Sequence, residues 1–176
     1  FAAGLNMGIA GIPWWTTDIG GFHGGQIADE GFRELLVRWF QFGAFCPVMR
    51  LHGCRQPSSP IINRAGEERE GTGADNEVWS FGDEAYPILK EYMQMRERLR
   101  PYIRGLADRC HADGTPIMRP LFFDFPEDPA AWEHRDAYMF GPDVLVSPVT
   151  RAGCTGKTVY LPAGAEWIEA ESGKRW

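Results

Sequence analysis

The sequence has no excess of basic residues, no long apolar run and no closely spaced cysteine pair. Its 18 Lys and Arg against 24 Asp and Glu give a formal net charge of −6, which argues against a polyanionic partner such as nucleic acid. No window approaches the run of about 18 apolar residues that a membrane span needs, so we expect no membrane partner. The four cysteines, at positions 46, 54, 110 and 154, are widely spread. This spacing indicates neither a zinc site nor a disulfide framework, and we expect free thiols.

Four common catalytic signatures are also missing. The chain contains no Gly-x-Gly-x-x-Gly, P-loop, Gly-x-Ser-x-Gly or His-Glu-x-x-His pattern, which lowers the support for dinucleotide, phosphate, serine-hydrolase and zinc-protease chemistry. It also lacks an initiator methionine and begins with FAAGLNMG, which is typical of a helix interior. We therefore expect a fragment of a longer protein. The apolar fraction of 44% is that of a globular chain.

Apolar periodicity predicts several helices. One helix is expected to start after Asp29, a suitable N-cap, and to end near Gly43. Its apolar positions recur with the period of a single helix face: Phe32, Leu35, Leu36, Trp39 and Phe40. A second helical region is expected from Ala85 to Gly114, with Pro101 bending or dividing it.

Short apolar runs predict strands in two different settings. Residues 12–19 and 45–51 alternate with helices, as parallel strands of an α/β fold do. After residue 115 the pattern changes to short strands separated by Pro, Gly and Asp turns, which favours an antiparallel β part. These strands are expected at 116–123, 137–140, 144–149 and 158–161. Residues 53–84 show no period, and we interpret them as a long excursion of the kind that is often functional.

Polar residues follow both parallel strands of the first part. Asp18 ends the first strand, and Arg50 and His52 end the second. In barrels and doubly wound sheets, ligands bind at the carboxyl ends of parallel strands. Each residue also has a plain structural interpretation: Asp18 as a turn cap, Arg50 as an ion-pair partner and His52 as a hydrogen-bonded histidine. Phe22 is an aromatic surface that suits either a sugar ring or core packing, and the same holds for Trp15.

Several motifs occur in order along most of the chain. In the first half they are GIPWWTTDIGGF at 11–22, RWFQFGAF at 38–45 and RLHG at 50–53. In the second half they are LRPYI at 99–103, GTPIMRPL at 114–121 and YMFGPDVLVSPV at 138–149. Together they resemble glycoside hydrolase family 31, whose members include α-glucosidases and α-xylosidases. The resemblance fades after Leu161.

The resemblance implies an α/β architecture, the C-terminal third of a (β/α)8 TIM barrel followed by a small antiparallel β-sandwich domain. Residues 1–114 would hold barrel strands seven and eight with their helices, and residues 115–176 would start the proximal C-terminal β-sandwich. The family retains anomeric configuration with a carboxylate nucleophile on strand four and an acid/base carboxylate after strand six. Both would precede Phe1, so we assign no catalytic residue in this chain and expect the isolated chain to have no hydrolase activity.

The resemblance also implies a set of substrate-binding residues. Asp18 matches the family aspartate that binds the sugar at the cleavage point, and Phe22 lines the wall of its pocket. Arg50 supports the anionic cluster, and His52 hydrogen-bonds a sugar hydroxyl. The implied substrate is an oligosaccharide with a terminal α-linked glucose or xylose, and neither a metal nor an organic cofactor is expected. The residues at 14–17 and the long excursion depart from many α-glucosidases, so both sugars stay open.

Two other hypotheses remain. The β part could be a carbohydrate-binding or structural module without catalysis, with an aromatic platform drawn from Trp132, Trp167 and Trp176. Alternatively, an unrelated barrel hydrolase could bind a metal through His52 and Asp18, although two ligands without a third are a weak metal signal.

Overall fold

A computed structural model describes residues 1–69, 71 and 73–176 of the chain. Glu70 and Thr72, which belong to the predicted excursion at 53–84, lie outside the described residues. The helices are α1 (Ala2–Ile9), α2 (Glu30–Gly43), α3 (Ala85–Arg98), α4 (Arg100–Asp113), α5 (Leu121–Asp124) and α6 (Pro129–Glu133). The strands are β1 (Asp18–Ile19), β2 (His23–Gln26), β3 (Arg50–Leu51), β4 (Cys54–Gln56), β5 (Ile61–Ile62), β6 (Glu68–Arg69), β7 (Met118–Pro120), β8 (Tyr138–Phe140) and β9 (Val144–Val146). None of the described helices is long and apolar enough to cross a bilayer.

Helix α2 confirms the periodicity prediction. The Asp29 side chain accepts a hydrogen bond of 2.7 Å from the backbone N–H of Phe32 and caps the helix, which ends at Gly43. Leu36 and Phe40 are buried on its inner face. Most of the predicted stripe therefore lies on the packed face of the helix, but the prediction is wrong for Leu35, which is 51% exposed.

The predicted division of the second helical region is also confirmed. Helices α3 and α4 are separated at Leu99, with Pro101 in the first turn of α4. Proline is tolerated there because first-turn N–H groups have no intrahelical acceptor. Gly114 ends α4 in the left-handed conformation, at φ +78°.

The two predicted parallel strands are much shorter than expected. Within these two segments, β1 and β3 pair with each other, and the remainder of residues 12–19 and 45–51 has no strand pairing. Pro13 and Pro47 cannot donate to a ladder. The Thr16 hydroxyl instead donates to the Val48 carbonyl at 2.8 Å, which holds the two segments side by side.

The second part contains an antiparallel sheet of order β7-β8-β9. The prediction of a strand over 116–123 is wrong beyond Pro120, because Leu121 begins the short helix α5. The strand predicted at 158–161 is also absent from the described residues. There the Tyr160 hydroxyl donates to Asp128 Oδ2 at 2.6 Å, a side-chain contact in place of ladder bonds.

The excursion at 53–84 is more regular than its sequence suggests. Strand β4 pairs in parallel with β2, directly after the first predicted site segment. Strands β5 and β6 form an antiparallel hairpin that is exposed to solvent. The start of the excursion is therefore part of the framework around the candidate site.

The α/β part and the β part share one hydrophobic cluster. It contains Leu5 of α1, Cys46, two α4 residues and strand residues of β7 and β8. The Tyr138 hydroxyl donates to the Phe45 carbonyl at 3.0 Å across the predicted boundary. A second cluster joins Ile19 of β1 to α2 and α3. All four cysteines are free thiols, as predicted.

Candidate functional site

Asp18 and Arg50 lie directly opposite each other on the parallel strands β1 and β3. The Arg50 guanidinium donates to Asp18 Oδ1, and the two side chains form an ion pair. The Asp18 side chain is 18% exposed and that of Arg50 is 52% exposed. A largely buried carboxylate is thus oriented by a cation that itself faces solvent.

Phe22 and His52 form a second contact beside this ion pair. Their ring centroids are 5.6 Å apart, and both residues are exposed. Phe22 also meets the His23 ring edge-on at 4.4 Å. A phenylalanine that is 55% exposed contributes little to the core, which leaves its face available to an apolar ligand surface.

Short backbone connections bring the two contacts together. The Gly21 N–H donates to the Asp18 carbonyl at 2.7 Å, which closes a tight turn between Asp18 and Phe22. The Cys54 N–H donates to the Phe22 carbonyl at 2.9 Å and ties this turn to the segment after His52. We call the set Asp18, Phe22, Arg50 and His52 the rim. Its members come from two adjacent segments, as the strand argument predicts. Asp18 and Arg50 are, however, the first residues of β1 and β3 and do not follow these strands as predicted.

Arg55 organises the backbone behind the rim, and no sequence pattern predicts this role. It is fully buried. Its guanidinium donates to the carbonyls of Ile19, Gly21, Gly24 and His52 and to the side-chain oxygen of Asn76. A buried arginine inside a polar excursion has the same appearance in sequence as a surface arginine, so only the fold identifies it.

The tryptophans near the site have different roles. Trp15 is partly buried and packs against the shared hydrophobic cluster, which favours the core-packing interpretation. Trp14 is 49% exposed. His23 lies next to Phe22 and is exposed, but it was not predicted to bind substrate.

The structure also bears on the two alternative hypotheses, the metal site and the aromatic binding platform. Within residues 1–69, 71 and 73–176, no group of three or more His, Cys, Asp or Glu side chains is arranged to hold a metal ion. Trp167 packs against a buried cluster with Phe125, whereas Trp132 and Trp176 are exposed. Trp132 stacks on Phe122 with a centroid distance of 4.4 Å. A binding role for these tryptophans stays a prediction.

Two parts of the chain match known family models. Residues 1–106 match the family model described as the glycosyl hydrolases family 31 TIM-barrel domain. The chain belongs to glycoside hydrolase family 31. Residues 114–176 match the C-terminal domain of family 31. The resemblance deduced from the motifs is therefore confirmed, and family 31 membership supports the barrel and C-terminal fold.

Similar proteins within family 31 include enzymes named for both candidate sugars. A crystal structure of an α-xylosidase from a soil metagenome, complexed with xylose, is 56% identical, with a TM-score of 0.95 over 98% of this chain. The α-xylosidase of Saccharolobus solfataricus is 39% identical over 98% of this chain. The α-glucosidase 2 of Bacillus thermoamyloliquefaciens is 32% identical over 97%.

The chain covers only part of each of these family 31 proteins. It spans 26% of the soil enzyme and 21% and 19% of the two curated relatives. The relatives are thus several times longer than these 176 residues.

Proposed function

We propose that this chain is part of a retaining α-glycoside hydrolase that removes terminal α-linked xylose or glucose from oligosaccharides. In this proposal residues 1–114 form barrel strands seven and eight with their helices, and residues 115–176 begin the C-terminal β-sandwich. Family 31 membership supports the reaction class. The observation that carries the proposal is the rim, where an oriented carboxylate, a cation, an imidazole and an exposed aromatic ring lie on two adjacent segments.

The rim chemistry suits one sugar ring. The Asp18 carboxylate accepts hydrogen bonds from sugar hydroxyls, and the Arg50 ion pair keeps it oriented. His52 provides an imidazole N–H or nitrogen to a further hydroxyl. The exposed face of Phe22 packs against the C–H face of the ring.

The rim residues bind and orient the substrate and do not break the glycosidic bond. A retaining mechanism needs two carboxyl groups about 5–5.5 Å apart, one as the nucleophile and one as the acid/base. We propose that both belong to a longer chain than residues 1–176. Hydrogen bonds from the rim to sugar hydroxyls would lower the activation barrier if these bonds strengthen as the sugar ring flattens in the transition state. Rim variants should therefore lower kcat as well as raise KM.

Xylose is our first candidate because the soil enzyme at 56% identity and the Saccharolobus enzyme at 39% identity are both named α-xylosidases. Glucose remains the second candidate because α-glucosidase 2 is 32% identical over nearly the whole chain.

The test is hydrolysis of p-nitrophenyl α-xyloside and α-glucoside by the full-length protein that carries residues 1–176, with the first-formed anomer followed by NMR. We expect the α-anomer to form first from at least one substrate. Release of the β-anomer first would refute the retaining mechanism, and no cleavage of either substrate would refute the proposed reaction. The isolated 176-residue chain is the control, and turnover by it would contradict the proposal that both catalytic carboxylates lie outside residues 1–176.

A further inference from the structure

Arg55 uses every donor that a guanidinium has. Its Nε donates to Asn76 Oδ1 at 2.9 Å. Its Nη1 donates to the carbonyls of Gly21 at 2.8 Å and Gly24 at 3.1 Å, and its Nη2 to those of Ile19 at 3.0 Å and His52 at 2.9 Å. The five N–H groups of arginine are thereby matched to five acceptors.

All five acceptors are neutral, although the cation is fully buried. Burying a charge is costly unless polar groups replace its water. Burial lowers the pKa of Arg55, while the nearby Asp18 charge acts in the opposite direction. A neutral side chain would fill the same space at lower cost. The retained charge is explained by geometry, because only a planar fork of donors spans four carbonyls from two segments at once.

Three of the four carbonyls that Arg55 holds belong to or adjoin rim residues in the chain. Ile19 follows Asp18, Gly21 precedes Phe22, and the third carbonyl is that of His52 itself. A shift of the guanidinium therefore displaces the backbone at three of the four rim positions.

Two glycines show how closely the guanidinium fits. A Cβ on Gly20 would lie 2.7 Å from Arg55 Nη2, and one on Gly53 would collide with the Gly21 carbonyl. Both glycines also have positive φ, +86° and +127°, which other residues rarely adopt. The two segments approach each other at this point because neither carries a side chain there.

Asn76 links the far end of the excursion to the same centre. Its Oδ1 accepts from Arg55 Nε, and its Nδ2 donates to the Gly53 carbonyl at 3.2 Å. The Ala74 N–H donates to the Arg55 carbonyl at 2.9 Å. Residues 74–76 are thus joined to the backbone behind the rim by three hydrogen bonds.

We propose that Arg55 is a positioning residue, which together with Asn76 fixes the backbone of the segments that carry Asp18, Phe22 and His52. This inference rests on the proposed function for its effect on catalysis. Arg55 lies behind the rim and acts through other residues, so it is not a catalytic residue.

The first experiment compares Arg55→Lys with Arg96→Lys in the full-length protein. Arg96 is a matched control, because it donates to three backbone carbonyls, those of Ala44, Cys46 and Pro47, none of which belongs to or adjoins a rim residue in the chain. Lysine keeps the charge but cannot span several carbonyls. We expect Arg55→Lys to lower kcat/KM for the better α-glycoside by about ten- to a hundredfold, as small misplacements of binding groups do. Arg96→Lys should lower the melting temperature by a comparable amount and leave kcat/KM nearly unchanged.

The second experiment measures the exchange of backbone amide hydrogens and does not depend on activity. It therefore distinguishes a failure of this inference from a failure of the proposed function. Hydrogen exchange followed by mass spectrometry should show faster exchange at residues 19–25 and 52–56 in Arg55→Lys, but not in Arg96→Lys. Asn76→Ala, a milder variant, should shift the same peptides in the same direction and lower kcat/KM about two- to tenfold. Unchanged exchange in these peptides, or equal kcat/KM losses in the Arg55 and Arg96 variants, would overturn the positioning role.

Discussion

The Asp18 carboxylate and the Arg50 guanidinium form an ion pair between two residues that are also register partners in a parallel ladder. Each of the two residues is fixed in two ways. Its backbone is paired with the neighbouring strand, and its side chain is bonded to the side chain of the other residue. The pair therefore presents a carboxylate in a fixed orientation before any ligand arrives, which reduces the ordering cost of binding.

The first prediction concerns this pair. Asp18→Asn keeps the shape of the side chain but removes the charge and leaves Arg50 without its partner. Hydrogen bonds to charged groups contribute about 1.5–3 kcal/mol, so kcat/KM of the full-length protein should fall about ten- to a hundredfold. Glu97→Gln is the control, because Glu97 forms an exposed ion pair with Arg100 on the helices. A near-normal kcat/KM in Asp18→Asn would show that the Asp18 carboxylate does not bind the substrate.

The second prediction separates substrate binding from packing at Phe22. The ring is 55% exposed, so Phe22→Ala should change the free energy of unfolding by less than about 1 kcal/mol. KM for the better α-glycoside should nevertheless rise, because in the proposed site the ring face packs on the sugar. Trp132→Ala, a change at another exposed aromatic in the β part, should leave KM unchanged. If Trp132→Ala weakened oligosaccharide binding and Phe22→Ala did not, the binding-module hypothesis would be favoured.

The third prediction concerns thiol reactivity and alkaline pH. Burial raises the pKa of Cys46 from its ordinary value of 9.0 to about 12, against the opposing effect of Arg96. The unfolded thiol ionises first as the pH rises, so the Cys46 contribution to stability falls as the pH rises from about 9 towards 12. In iodoacetamide labelling at about pH 8 with peptide mapping, the half-buried Cys54 and Cys154 should react before Cys46 and Cys110, which are buried. Equal labelling rates of Cys46 and Cys154 in the folded protein would contradict the burial of Cys46.

The helices could be predicted from the sequence because their signals are local. Asp29 caps α2 and Gly114 ends α4, as their residue types suggest. The strands were overestimated, because an apolar run shows that a segment is buried but not that neighbours pair with it. Leu121, for example, lies in an apolar run and yet begins a helix.

The rim could be placed on two adjacent segments because Asp18 and Arg50 lie in two apolar runs that the sequence predicts to be neighbouring parallel strands, and the family resemblance supplied their expected roles. Arg55 could not be found in this way. Its importance depends on segments around residues 20, 53 and 76 meeting at one point, and no local pattern encodes such long-range convergence.

The fourth prediction concerns acid stability of the β part. The Tyr160 hydroxyl, followed by the backbone N–H groups of Ala163 and Ala130, donates to Asp128 and lowers its pKa below the ordinary 3.8. The stabilisation is therefore present above the ordinary pKa and is lost as the pH falls through the lowered value. Asp128→Asn should lower the melting temperature at neutral pH, with a smaller difference from wild type at an acid pH below the ordinary carboxyl pKa of 3.8.

Glu133→Gln, at the exposed end of the same helix α6, is the control for this prediction and should leave the melting temperature nearly unchanged. A melting-temperature difference between Asp128→Asn and wild type that is the same at both pH values would show that the ionised carboxylate contributes nothing.

The most direct test of the central claim is a crystal structure of the full-length protein soaked with xylose or glucose. The account predicts a sugar whose hydroxyls lie within about 2.7–3.2 Å of Asp18 and His52, with the Phe22 ring against the sugar. A sugar bound in the active site without contact to any of the four rim residues would contradict it.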